Sequence, residues 1–161
     1  MLNRILKIGA IMVTGLFLAV FTYQSYGHIK DQIYLASDIN NVFTVHSVVV
    51  PDFILGEDPP VQYDRDILQN FIGDYRVELK FVLTGETVCF GSGDNVKYDI
   101  GEKSPDHITF TWFMNTVCDP RKILPGQYYL EVNYDIRIEG SPARTYDKQS
   151  NVFTIFPPGY K

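Results

Sequence analysis

The chain has 161 residues, 45% of them hydrophobic, and its 14 Lys and Arg against 19 Asp and Glu give a net charge of −5. That is the length of one domain with enough apolar residues for a real core, which argues against a disordered chain or a coiled coil. Setting aside Arg4 and Lys7 leaves a net of about −7 on the remainder, a field that repels phosphate backbones and argues against nucleic acid as a partner.

The first predicted element is an apolar run. Residues 8–23, IGAIMVTGLFLAVFTY, carry no charge, and Arg4 and Lys7 stand on their amino side. That polarity predicts an amino terminus kept in the cytoplasm and a carboxy-terminal domain outside it. Read with Ile5 and Leu6, and with Lys7 snorkelling towards the headgroups, the run approaches the length of a membrane span. Ser25-Tyr26-Gly27 is an imperfect cleavage site. A single-pass anchor in the cytoplasmic membrane and a cleaved signal that leaves a periplasmic or secreted domain therefore both stay open. The expected organisation is a signal anchor over residues 1–27 and a linker or short helix over 28–39, where Ile29, Ile33 and Ala36 fall at helical spacing. A β-rich ectodomain then follows over 40–161.

Beyond residue 40 the apolar period becomes two, as strands require. In YRVELKFVL, Tyr75, Val77, Leu79, Phe81 and Leu83 share a face. HITFTWFMN groups Ile108, Phe110, Trp112 and Met114, and GQYYLEVNYDIRI groups Tyr128, Leu130, Val132, Tyr134, Ile136 and Ile138. Trp112, Tyr128, Leu130 and Val132 are therefore expected in the core. LTGE, GSGDN, GEKSPD, DPRKILPG and EGSPA read as the turns between strands. NVFTV at 41–45 is echoed by NVFTI at 151–155, and these are taken as the opening and closing strands. The class expected is all-β, an antiparallel sandwich of about seven to eight strands.

The stretch Leu124-Pro125-Gly126-Gln127-Tyr128, leading into Tyr129-Leu130-Glu131-Val132, resembles the turn into a late strand of many bacterial and phage immunoglobulin-like domains. With Cys89, Trp112 and Cys118, the resemblance covers roughly residues 40–157. An apolar amino-terminal segment joined to such a sandwich is also similar to small phage- or prophage-encoded membrane proteins of no assigned activity. One departure is plain: Trp112 precedes Cys118 by six residues, so the bond between the cysteines would not be the inter-sheet staple of antibody domains.

Both cysteines end the triplet Thr-Val-Cys. In an oxidising compartment two thiols in one domain are expected to pair. A Cys89–Cys118 bond would close a loop of about 29 residues, worth about 3 to 4 kcal/mol through the unfolded state. No C-x-x-C spacing suits redox work, and His28, His46 and His107 are too scattered for a metal set, so neither a cofactor nor a metal is expected. The acid-rich GEDPPVQYDRD and GSGDNVKYD lack the alternation of a calcium loop and read as solvated turns.

Phe113, Tyr129 and Phe53, the last within PDFIL, are aromatics at outward positions, either covered by a second layer or forming a partner surface. Arg65, in Asp64-Arg65-Asp66, is either braced by a local ion pair or available to an anionic group. No set of residues spells out a catalytic constellation. The function expected is a non-enzymatic interaction module, anchored to the membrane by its amino-terminal helix, that binds a protein or an envelope component. A secreted or fimbrial assembly subunit and an envelope-polymer hydrolase are the rival readings.

Overall fold

The computed structural model describes residues 2–105, 108–114 and 123–160, which fall into two compact units, residues 1–37 and 38–161. In the first, α1 (Leu2–Ala36) is one unbroken helix of 35 residues, about 50 Å at 1.5 Å per residue. The segment expected as a linker or short helix is thus helical to residue 36 and continuous with the run before it, because neither Gly nor Pro interrupts the Ile29, Ile33 spacing. Among the described residues, no helix is long and apolar enough to cross a membrane.

The second unit is mostly β, with eight strands among the described residues. β1 (Phe43–Val49) pairs antiparallel with β3 (Gln62–Ile67) as a two-stranded sheet. A six-stranded sheet runs in the order β2 (Phe53–Ile54), β8 (Phe153–Phe156), β6 (Gly126–Arg137), β4 (Phe71–Phe81) and β5 (Thr87–Tyr98), with β7 (Arg144–Gln149) also on β6. β6 is the spine. β4 covers one of its edges, while β8 and β7 share the other in succession. Between those two, Ser150 keeps the edge continuous: its amide donates to Leu130 O at 2.9 Å, and its Oγ accepts from Leu130 N at 2.8 Å.

Strict alternation fills the core. Val77, Leu79, Leu130, Val132 and Ile136 are fully buried, and Tyr128 nearly so; each side chain of this size contributes about 1.5–3 kcal/mol by leaving water. The echoed pentapeptides use matching positions inward, Phe43 with Val45 and Phe153 with Ile155, all buried. Side chains rather than a backbone ladder join β1 to the last strands. The Tyr146 hydroxyl accepts from Val45 N at 3.1 Å. The Asn151 amide accepts from Val50 N and donates to Val50 O, each at 2.9 Å.

The structure departs from the sequence pattern in several places. Residues 110–113 are a one-turn helix, α2 (Phe110–Phe113), not a strand. The apolar residues fit both periods, and Thr109 decides between them: its hydroxyl caps the turn by accepting from Trp112 N. Helical spacing then buries Phe110, Phe113 and Met114 and leaves Trp112 58% exposed, so Trp112 is not core and Phe113 is not surface. Phe53 is buried as well, because β2 tucks beside β8.

GSGDN is not a turn but the middle of β5. Gly93 lies opposite Tyr75, whose ring would stand 2.4 Å from any Cβ placed there, so glycine makes room for the aromatic ring. A bulge follows at Asn95, with φ of 54°. Its amide donates to Asp74 Oδ1 at 2.7 Å, and Arg137 grips the same carboxylate with two bonds of 2.8 Å. The Asn95 amide and then Arg137 hold the Asp74 carboxyl below its ordinary range.

Candidate functional site

The β3 strand sets the site. Around it Val61, Tyr63 and Ile67 are buried at every second position, and Arg65 occupies the same parity. The pleat therefore turns a guanidinium inward, and Asp64-Arg65-Asp66 is a strand rather than an irregular loop. The Arg65 side chain is only 9% exposed. Its partner is Glu102, not a neighbouring aspartate: Nη2 donates to Glu102 Oε1 at 2.9 Å. The guanidinium carbon stands 5.0 Å from the Tyr98 ring centroid and 5.6 Å from that of Tyr63, within cation–π range. Nε is buried with no hydrogen-bond partner. Above it, the segment after β5 lies along the strand, with Ser104 Oγ accepting from Arg65 N at 2.9 Å.

Arg65 belongs to a cleft of about 250 Å³ at the meeting of the two sheets. Tyr63 comes from β3, Tyr75 from β4, Tyr98 from β5 and Tyr134 from β6, while Trp112 and Phe113 come from α2, and Lys97, Glu102 and Ile108 are also among the lining residues. The Tyr63 and Tyr134 hydroxyls lie 2.5 Å apart. Tyr98 stacks on Phe71 at 4.5 Å, and Phe43 meets Tyr134 edge-on at 4.8 Å, so the floor is a packed aromatic cluster. Burial is the leading cause that pushes the Tyr63, Tyr98 and Tyr134 phenols above their ordinary value of 10.0. All three stay protonated, as hydrogen-bonding groups rather than bases. Apolar walls, protonated phenols and one guanidinium equip the cleft for recognition.

The structure brings together Arg65, Phe113 and Trp112 and separates the other candidates. Phe53 lines a different cavity of about 180 Å³ with Phe110, Met114 and Ile155. Tyr129 is half-buried on β6 opposite Lys80, which pairs with Glu131. Tyr128, Leu130 and Val132 are buried, and the Tyr128 hydroxyl donates back to Leu124 O at 2.6 Å. Cys89 is buried on β5 and disulfide-bonded; Cys118 and His107 lie outside the described residues. Among the described residues no three His, Cys, Asp or Glu gather as metal ligands. Sequence reasoning misses Tyr63, Tyr98 and Glu102 as members of the site. The alternation Val61, Tyr63, Arg65, Ile67 is the signal that would have found the first.

No protein-family model and no curated protein matches this chain.

Proposed function

We propose that this chain is a non-catalytic binding module: an immunoglobulin-like sandwich held at the outer face of the cytoplasmic membrane by its amino-terminal helix, which captures a protein or envelope component in the Arg65 cleft. The observation that carries the reading is Arg65 itself, nearly buried at an aromatic cleft with Nε unpartnered. Burying an arginine incompletely satisfied is costly, and an apolar residue there would pack more stably. Its retention together with an exposed tryptophan on the cleft wall fits recognition better than stability.

Support for the sandwich comes from two sheets sharing one core and from the Tyr128 bond to Leu124 O, which is similar to the tyrosine corner of such folds. Support for the tether comes from the uncharged run at 8–23 with Arg4 and Lys7 before it. The test is fractionation of expressing bacteria followed by crosslinking in intact cells, comparing the parent chain with Trp112→Ala. Membrane-bound protein, protease-accessible from outside, and a crosslinked partner lost in Trp112→Ala without a change in unfolding midpoint are expected. Full recovery in the soluble fraction would overturn the tether. An unchanged crosslink in Trp112→Ala would overturn the cleft as the binding site.

A further inference from the structure

Resting on the cleft as a binding site, we infer that its ligand carries a carboxylate on an aromatic or aliphatic body, and that Glu102 holds the place of that carboxylate in the free protein. A guanidinium presents Nε and Nη2 side by side, a fork that one carboxylate spans with two parallel bonds. Glu102 takes only one prong, Nη2, at 2.9 Å, and Nε is left buried and unpaired. A side chain that completed the ion pair would use both.

Glu102 is also poised to leave. Its side chain is 44% exposed against 9% for Arg65, and its second oxygen makes only a 3.4 Å contact with Asp99 N. Water can therefore take back its carboxylate at modest cost, whereas Arg65 has no such recourse. Around the fork the chemistry is complementary to an apolar acid. Lys97 lines the mouth, but its ammonium lies 3.1 Å from Asp99 and is already paired, so Arg65 is the cation that an acid would meet. The Tyr63–Tyr134 contact uses one hydroxyl proton of two, which leaves a donor for an acceptor in the cleft. A cavity of about 250 Å³ walled by Tyr75, Ile108, Trp112 and Phe113 has room for one ring or branched aliphatic group. Such an acid can come from a free small molecule or from the end of a peptide, and the recognised chemistry is shared.

Trp112 is the chain's single tryptophan and lines the cleft, so its fluorescence reports occupancy directly. The full-length protein in mild detergent is titrated with 3-phenylpropionate and with the peptide Gly-Gly-Phe, each against its carboxamide. The acids should give a saturable change at least about tenfold tighter than the amides, the scale of one charge-assisted pair. Glu102→Gln should tighten the acids several-fold by removing the competing carboxylate, and Arg65→Met should reduce them to the level of the amides. A peptide much tighter than the small acid identifies a chain end as the source, and equal binding identifies the free acid. Acids and amides binding alike, or Glu102→Gln weakening the acids, would overturn the inference while leaving the cleft a binding site. No fluorescence response from a protein whose Trp112-dependent crosslink persists would also overturn it alone. Loss of both would remove the binding-site reading too. Should Arg65→Met fail to fold, the acid–amide comparison and Glu102→Gln still decide.

Discussion

The hydroxyls of Tyr63 and Tyr134, 71 positions apart in the chain, meet 2.5 Å from one another and join the small sheet to the spine of the large one. Removing either hydroxyl leaves the other buried without that partner, which costs about 1–3 kcal/mol. Tyr63→Phe and Tyr134→Phe should each lower the urea midpoint. The double variant should lose less than the sum, because no orphan remains. Equilibrium unfolding of the four proteins measures the coupling.

The same phenols set an alkaline limit. Burial raises the folded pKa values of Tyr63, Tyr98 and Tyr134 above 10.0, so the folded state holds protons that the unfolded state releases. Their contribution is intact below pH 10 and is lost as pH rises above it, by about 1.4 kcal/mol per pH unit for each group still protonated only when folded. The part of the tyrosinate absorbance due to these three, isolated by comparison with their Phe variants, should therefore appear together with the loss of the circular-dichroism signal in one cooperative step. Early, independent ionisation of these three would contradict their packing.

Gly93→Ala should displace the Tyr75 ring, since the new Cβ would meet it at 2.4 Å. The expected loss is about 1–3 kcal/mol, together with a change in Trp112 fluorescence as the cleft wall shifts. In a Tyr75→Ala background the same substitution should cost much less. Chemical denaturation of the pair of single variants and the double variant checks this.

Asn151 stands in for a strand pair by bonding both the N and the O of Val50. Asn151→Asp keeps the acceptor but points a carboxylate at a carbonyl, so it should destabilise by about 1–2 kcal/mol at neutral pH and recover part of that as the carboxylate is protonated. Asn151→Ala should lose both bonds with no such recovery. Thermal melts at two pH values separate them.

Pairing of Cys89 with Cys118 should appear as an intact mass short of two hydrogens and as one crosslinked peptide after digestion. Reduction, or Ser at both positions, should lower stability by about 3 kcal/mol. A free thiol at Cys118 in the oxidised protein would refute the pairing.

Much of the β unit was legible because alternation is a direct image of the pleat. Val77 and Leu79 on β4, and Leu130, Val132 and Ile136 on β6, follow it without exception. It failed where one sequence satisfied two periods. Ile108 to Met114 reads as a strand until Thr109 is recognised as a cap, and that single turn exchanges the surroundings of Trp112 and Phe113. It fails again at GSGDN, where glycine reads locally as a turn although Gly93 is shaped by a neighbour eighteen residues away, Tyr75. Arg65 stands out in the sequence by its charge, whereas its place in the site follows from its parity with Tyr63 and Ile67. Its true partner, Glu102, lies 37 residues away, a separation that no local pattern encodes.

The two-part closure of β6 also sets an order of events. Its amino-terminal neighbour β4 precedes it in the chain, but its second edge is completed only by residues 144–156. Until that stretch has emerged during synthesis, the spine keeps a long row of unpaired amides and carbonyls bordered by apolar side chains. The nascent sheet is then open to strands of other molecules. A nascent chain of this topology gains most from having residues 144–156 available, or that edge chaperoned, before it begins to collapse.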